Sequence, residues 1–342
     1  MKNLKFWNKI IFIINSLVAF LLLISYILPY IPPKSFATLS VLSLGVPLLI
    51  ILNIIFLVYW LLRVKKQLLL SLIVLLLGWS NIKSMYKFSS SKHVEDVNNI
   101  NVMSFNVRMF NIYSWLPNKT VKEDIVNLIK TEQQDVVCLQ EYSRGQNPIK
   151  TLDNYSNFNA TYDKTAKGGL AIFSKFPIIN TGSLEFPNTN NNAIFVDVIK
   201  KKDTIRIYNL HLQSLGTRPN VNKLNKETSE RLFKQIGATF KAQQEQVELF
   251  LKHKAECTYK TIVTGDFNNT AFSYVYKEIK GDDLIDAFEE AGNGLGKTYG
   301  LRRIPLRIDF ILADKSFTVN GFKNYDVKLS DHYPIKASLK LH

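Results

Sequence analysis

Leu329-Ser330-Asp331-His332-Tyr333-Pro334, near the C-terminus, sets a carboxylate beside an imidazole just ahead of a proline that stiffens the backbone. A carboxylate can hold a divalent metal, and a histidine can donate to or accept from a phosphoryl oxygen. The pairing therefore suits phosphate-ester chemistry. Asp-His is a common dipeptide and carries little weight alone. Its weight comes from the polar clusters upstream, each at the end of an apolar run.

Read backward from there, short apolar runs alternate with helical stretches. Strands are expected at Ile100–Val107, Asp135–Gln140, Gly169–Phe173, Ala193–Ile199, Thr204–Leu210, Tyr259–Thr264, Ile308–Leu312 and Ile335–Leu339. Helices are expected over Thr120–Glu132 and about Lys226–Ala255. In the longer one, Leu232, Ile236, Phe240, Val247 and Leu251 recur at helical spacing, and its Glu and Lys face reads as solvated. Many strands with few helices point to two packed sheets with helices outside.

The polar residues fall where strands open into loops, where a rigid scaffold holds chemistry best. Asn106 and Arg108 follow the first run, and Glu141 follows the second. Asn209 and His211 close the fifth. Asp266 and Asn268 follow Thr261–Thr264 through Gly265. Asp309 stands inside Arg307-Ile308-Asp309-Phe310-Ile311-Leu312, where a buried carboxylate needs a partner; a histidine is the obvious one. Each also has a plain alternative. Asn106, Asn268 and Asp266 are turn formers, Glu141 can be a solvated strand end, His211 a hydrogen-bonded core residue, and Arg108 the partner of a surface acid.

Taken in order, Ser104-Phe105-Asn106-Val107-Arg108, Leu139-Gln140-Glu141, Gly168-Gly169-Leu170-Ala171-Ile172-Phe173-Ser174, Asn209-Leu210-His211-Leu212, Gly265-Asp266-Phe267-Asn268, Arg307–Leu312 and Ser330-Asp331-His332-Tyr333-Pro334 resemble the endonuclease/exonuclease/phosphatase superfamily over about residues 100–342. The resemblance implies an α+β four-layer sandwich, two packed mixed β-sheets flanked by helices, with the site at one edge. It also implies Mg²⁺- or Mn²⁺-dependent hydrolysis of a phosphodiester or phosphomonoester by direct attack of water.

Carried over position by position, Glu141 is the principal metal ligand, with Asn106 beside metal and phosphate and Asp331 a further metal contact. Asp266 orients or deprotonates the water, and Asn268 binds phosphoryl oxygens. His332 contacts the phosphate, with Asp309 holding its ring. His211 holds a non-bridging oxygen or assists the leaving group. Arg108 matches an arginine of the deoxyribonuclease branch. That branch supports the first histidine with a glutamate, and Gly168–Ser174 offers no acidic residue for it. Gln213–Asn225 reads as an insertion beside His211; with Lys226 following, it brings Arg218, Lys223 and Lys226 close to substrate, or is simply a solvated loop.

The resemblance leaves out the N-terminal quarter. Residues 1–90 contain no Asp or Glu, and the apolar segments Ile10–Leu28, Leu39–Leu62 and Leu68–Ile82 stand out. The first two are long enough for a bilayer core, and the third is marginal. A signal peptide is the rival reading of the first, but no small-x-small cleavage site follows. This defines a membrane region over 1–82, a polar linker over 83–99 and a catalytic domain over 100–342.

Basic residues orient the chain. Lys2, Lys5 and Lys9 favour a cytoplasmic N-terminus, and Arg63, Lys65 and Lys66 a cytoplasmic loop. With a third crossing, the domain of a multi-pass bacterial inner-membrane protein is periplasmic; without it, the domain is cytosolic. Nine of the chain's 43 basic residues lie in residues 1–90, so the net charge of +15 overstates the rest, where 34 basic face 28 acidic residues. That mild balance suits any anionic substrate and does not single out nucleic acid. Cys138 and Cys257 leave pairing open.

The partners expected are a phosphate ester (lipid, nucleic acid or small molecule) and the bilayer, with no protein partner evident. The competing function is a membrane-tethered binding protein that keeps the fold without the chemistry.

Overall fold

The computed structural model describes residues 4–88, 92–143, 159–162, 169–216, 226–301 and 304–342. Gly168, Arg218 and Lys223 lie outside them. Two six-stranded sheets face one another. One runs, in spatial order, Leu284–Asp286, Asp309–Asp314, Lys260–Asp266, Asp203–His211, Asn192–Lys200 and Ile178–Ser183. The other runs Phe317–Asn324, Ile335–Leu341, Ile100–Asn106, Val136–Tyr142, Gly169–Ser174 and Asn159–Tyr162. Both are mixed: Ile100–Asn106 pairs parallel with Val136–Tyr142, and Asp203–His211 with Lys260–Asp266, among antiparallel neighbours.

The strands are covered on both faces, which is why they read as nearly continuous apolar runs. Side chains still alternate with period two. Ile100, Val102, Val136, Cys138, Ile205, Ile207, Ile262, Ile311 and Ala313 meet in the core between the sheets. Met103, Phe105, Val137 and Leu139 face outward against Ile125 and Ile129 of the helix Val121–Glu132. Tyr208, Val263, Phe310 and Leu312 face outward on the other side, against Val247 and Phe250 of Lys226–Ala255 and Val275 and Tyr276 of Tyr274–Lys280. Helix, sheet, sheet, helix is the four-layer architecture expected.

The strands absent from the sequence reading are mainly edge or irregular ones. Ile178–Ser183 is an edge strand with an exposed middle, and Phe317–Asn324 carries a register shift at Val319/Gly321. Neither offers the uninterrupted apolar run that marks a covered strand. The long helix spans the expected residues, and Lys234, Lys241, Glu245, Glu248 and Lys252 on its Glu and Lys face are exposed as expected. Gln243, Gln244 and Gln246 are buried, because the helix is sandwiched between a sheet and the N-terminal region.

In that region, Phe6–Tyr30 and Pro33–Leu62 are each long and apolar enough to cross a membrane. Leu68–Leu77 and Trp79–Met85 pass the same test only as a pair, bent by 74°. Polar side chains stitch the helices together: Asn15 Nδ2 donates to Ser71 Oγ at 2.7 Å, and Trp60 Nε1 donates to Asn15 Oδ1 at 2.9 Å. At the bend, a Cβ on Gly78 would lie 2.0 Å from the Tyr26 hydroxyl, so the close approach needs glycine.

The stretch read as a linker is held at several points. Tyr86–Lys87 pairs with Gly294–Leu295, Val94 N donates to Asn320 O at 2.8 Å, and Lys200 Nζ donates to Asn98 O at 2.9 Å. Both cysteines are free, Cys138 in the core.

Candidate active site

The inward-facing rows that build the core turn polar at one end of the sandwich. Ile100 and Val102 lead to Ser104 and Asn106. Ile205 and Ile207 lead to Asn209 and His211. Ile262 leads to Thr264 and Asp266, and in the antiparallel strand Ala313 and Ile311 lead to Asp309. Register aligns them: His211 pairs with Asp266, and Asp266 with Asp309, across three adjacent strands. Gly265 makes that alignment possible. Its φ is +134°, and a Cβ there would lie 1.9 Å from Leu210 O, so no side chain fits between the two strands.

His332 enters from the opposite sheet. Its Nδ1 meets Asp309 Oδ2 at 3.0 Å and Oδ1 at 3.1 Å, and its Nε2 stands 3.6 Å from Asp266 Oδ2. Burial disfavours the imidazolium, but the carboxylates of Asp309, Asp266 and Asp331 outweigh it and hold the ring's pKa up at about 10. Asp266 moves opposite to Asp96 and Asp314, whose pKa values are lowered. Burial pushes its pKa up to about 6, against the pull of His332.

Asn106 links the sheets at this point, its Nδ2 donating to Asp266 Oδ2 at 3.0 Å and to Glu141 Oε1 at 3.2 Å. Glu141 sits in a bulge between Gln140 and Tyr142 with φ +49°, a conformation a non-glycine residue holds only when its surroundings impose it. Burial raises its pKa, opposed first by His332 and then by the Asn106 hydrogen bond.

Arg108 and Asp331, expected on phosphate and metal, pair with one another at 2.8 Å, and Trp115 lies 4.0 Å beneath the guanidinium. Asn268 also has φ +49°. Its backbone N–H donates to Asp266 Oδ1 at 2.8 Å, and its Nδ2 gives one hydrogen bond to Leu212 O at 2.9 Å. His211 Nε2 stands 3.8 Å from Asp266 Oδ2 and finds no hydrogen-bond partner among the described residues. Burial lowers its pKa, opposed by Asp266, whereas that of His332 is raised. All nine residues given a role in the sequence analysis therefore gather at one end of the sandwich.

Three supporting residues, Gln140, Thr298 and Tyr299, escaped the sequence reading of the site. Gln140 Nε2 donates to Asn209 Oδ1 at 2.7 Å, and Asn209 Nδ2 donates to Leu139 O and Ala171 O at 2.9 and 3.0 Å, latching the two sheets beneath the site. Thr298 Oγ1 accepts from Asp309 N at 3.0 Å, and the Tyr299 ring packs 4.8 Å from His332. Gln140 had a signal: an amide within an otherwise apolar covered strand needs a partner inside the protein. Thr298 and Tyr299 had none, since Thr298 precedes and Tyr299 opens the three-residue strand Tyr299–Leu301, too short to show an apolar pattern.

Metal-ligating atoms of Asp266, Asp309 and His332 lie within 4.8 Å of one another. Both Asp309 oxygens are engaged by His332 Nδ1, and the three neighbouring carboxylates favour a protonated His332 ring, which is no metal ligand. Glu141 and the Asn106 amide oxygen offer the better donors for a hard cation, which prefers oxygen. A buried carboxylate whose pKa is raised by desolvation is also one that a bound cation would relieve. The site fits a divalent ion.

The sequence model described as the Endonuclease/Exonuclease/phosphatase family matches residues 103–332, and the chain belongs to that family. Residues 8–85 match a domain of unknown function, DUF8431. No curated protein matches.

Among solved structures, an endonuclease/exonuclease/phosphatase from Bacteroides vulgatus is similar over 71% of this chain and 99% of that one, at 21% identity and TM-score 0.56. The human Nocturnin catalytic domain with bound sulfate anion is similar over 72% and 94%, at 17% identity and TM-score 0.55. D. rerio TDP2 complexed with single strand DNA product is similar over 72% and 100%, at 16% identity and TM-score 0.52.

Proposed function

We propose that this protein is a membrane-anchored, Mg²⁺- or Mn²⁺-dependent phosphoester hydrolase that brings water directly to phosphorus, with no covalent enzyme intermediate. One observation carries the reading: Asp266 lies between two imidazoles, His332 at 3.6 Å and His211 at 3.8 Å. A carboxylate with a pKa pushed to about 6 is well matched to take a proton from water near neutral pH. The His332 imidazolium is a fixed donor for a phosphoryl oxygen, and Asp309 positions it. His211, its pKa lowered by burial, holds a non-bridging oxygen or serves the leaving group. Asn268 braces Asp266 through its backbone and has a second amide hydrogen for phosphate. The Arg108–Asp331 pair brings its guanidinium to the phosphate side.

When bound, the cation would sit on Glu141 and Asn106, with Asp331 at its margin, and would polarise the phosphoryl oxygens. The substrate is a phosphodiester or phosphomonoester of a lipid headgroup, a nucleic acid or a small molecule.

The protein is read as a multi-pass component of a bacterial inner membrane. The domain touches both 28–45 and 78–88, so those stretches share its side. Tyr59 donates to Asn8 at 2.8 Å, which brings the ends bearing Lys9 and Arg63 together on the other side. Basic flanks favour the cytoplasm, so this arrangement supports three crossings and an extracytoplasmic domain.

The rival reading is a binding protein without activity. The full chain in detergent, given bis-para-nitrophenyl phosphate and Mg²⁺, separates them. Turnover abolished in Glu141→Ala is the expected result. Equal rates in wild type and variant, or none in either, reject the hydrolase.

A further inference from the structure

Two segments that carry site residues, and the long helix that braces Asn268, pack directly against the N-terminal helices. Phe272 is buried among Ala19, Leu22, Val46 and Ile50, and it lies four residues beyond Asn268, a reach of at most about 14 Å. Arg307, two residues before Asp309, donates from Nε to Ser84 O at 2.9 Å. In the long helix, Ile236 and Phe240 pack with Val41, and a Cβ on Gly237 would stand 3.2 Å from the Ala37 Cβ. One turn further, Gln243 Nε2 donates to Asn268 O at 3.2 Å.

The catalytic domain is thus not a sphere on a string. Its site-bearing end is the end seated on the helices, and the buried contacts remove the freedom to turn away. The helix faces not covered by the domain stay apolar and exposed, among them Phe20, Leu48, Ile51 and Leu77, as contact with lipid tails requires. Beside Arg108, the turn that follows it exposes Ile112, Tyr113 and Trp115. Tyrosine and tryptophan of this kind favour the boundary between headgroups and water.

We infer that the substrate is a phosphoester carried by a lipid of the bilayer itself, its headgroup entering the site from the membrane surface. This rests on the hydrolase reading above and narrows it. In the reaction, the water oxygen bonds to phosphorus, the phosphorus–oxygen bond to the leaving group breaks, and the proton lost by water ends on the leaving oxygen. No redox partner is involved.

The test uses the full chain with Mg²⁺ in vesicles of phosphatidylethanolamine and phosphatidylglycerol, with and without phosphatidic acid. Bis-para-nitrophenyl phosphate and a single-stranded oligodeoxynucleotide are run in parallel. Released water-soluble phosphorus is expected from at least one lipid. Phe272→Ser and, independently, Gly237→Leu should each lower lipid turnover by about tenfold or more, since small misplacements of a bound substrate are costly. Both should leave bis-para-nitrophenyl phosphate hydrolysis within about twofold, because neither residue touches the reacting groups. Hydrolysis of a soluble probe with no lipid hydrolysed overturns the inference and leaves the hydrolase standing. So does an equal fall on lipid and soluble substrate in variants that stay folded by circular dichroism. No turnover of any substrate rejects the hydrolase itself.

Discussion

Asp309 grips His332 across the gap between the two sheets, both carboxylate oxygens lying within 3.1 Å of Nδ1. One residue belongs to the sheet built around Lys260–Asp266, and the other leads into the strand Ile335–Leu341 of the opposite sheet. The charged ring is therefore assembled only when the sandwich closes. Its Nε2 is left facing Asp266 and the space where a phosphate would sit.

Replacing His332 by alanine removes that donor. Turnover of bis-para-nitrophenyl phosphate should fall by about 10²–10³-fold, the cost of losing one fixed transition-state donor. The far-ultraviolet circular dichroism should stay unchanged. Asp309→Asn should depress kcat more than KM, because it frees the ring to rotate without removing it. A variant with near-normal kcat would show that Asp309 is only structural.

Gly265 has no substitute. Its φ of +134° and the 1.9 Å approach of a Cβ to Leu210 O together forbid a side chain. Gly265→Ala should destabilise the domain by several kcal/mol, on the order of a strained backbone plus a steric clash. Denaturant unfolding of the purified chain measures it. A loss below about 1 kcal/mol would mean that the strands can part without consequence.

The Gln140–Asn209 latch is testable by a double-mutant cycle. Either Gln140→Leu or Asn209→Leu leaves a buried amide without its partner and should cost about 1–3 kcal/mol. The double variant should cost clearly less than the two summed, since both polar groups are gone. Additive losses would show that the pair does not act as a unit.

Acid stability should report on Asp286. Burial pushes its carboxyl up, but Arg307 at 2.6 Å and the Tyr276 hydroxyl at 2.6 Å win, and the net shift is downward. A depressed folded value means stability that is present above the unfolded pKa of about 3.9 and lost as pH falls through the folded value. The melting temperature of the wild type should drop below about pH 4, and Asp286→Asn should start lower and lose that component of the fall. Parallel curves for the two proteins would exclude the pair as the source.

How much of this was legible beforehand follows from what each signal depends on. Covered strands such as Val136–Tyr142 and Asp203–His211 announce themselves because burial on both faces demands apolar runs. The edge strand Ile178–Ser183 does not, because one side of it faces solvent. The site residues were legible as polar interruptions at strand ends, and Asp309 as a buried carboxylate needing a histidine. The Arg108–Asp331 pair was open in the sequence only as a generic possibility, since the two positions are more than two hundred residues apart.

Local chemistry therefore determined which segments are strands, which helices are apolar enough to enter a membrane, and which side chains carry the reactive groups. Alternation, helical period and hydrophobicity are properties of neighbours along the chain. Tertiary structure alone decided that Asp266 lies between His332 and His211, and that the site end of the sandwich is seated on the N-terminal helices. Both depend on burial and on distances between remote segments, and no stretch of sequence contains either until the layers pack.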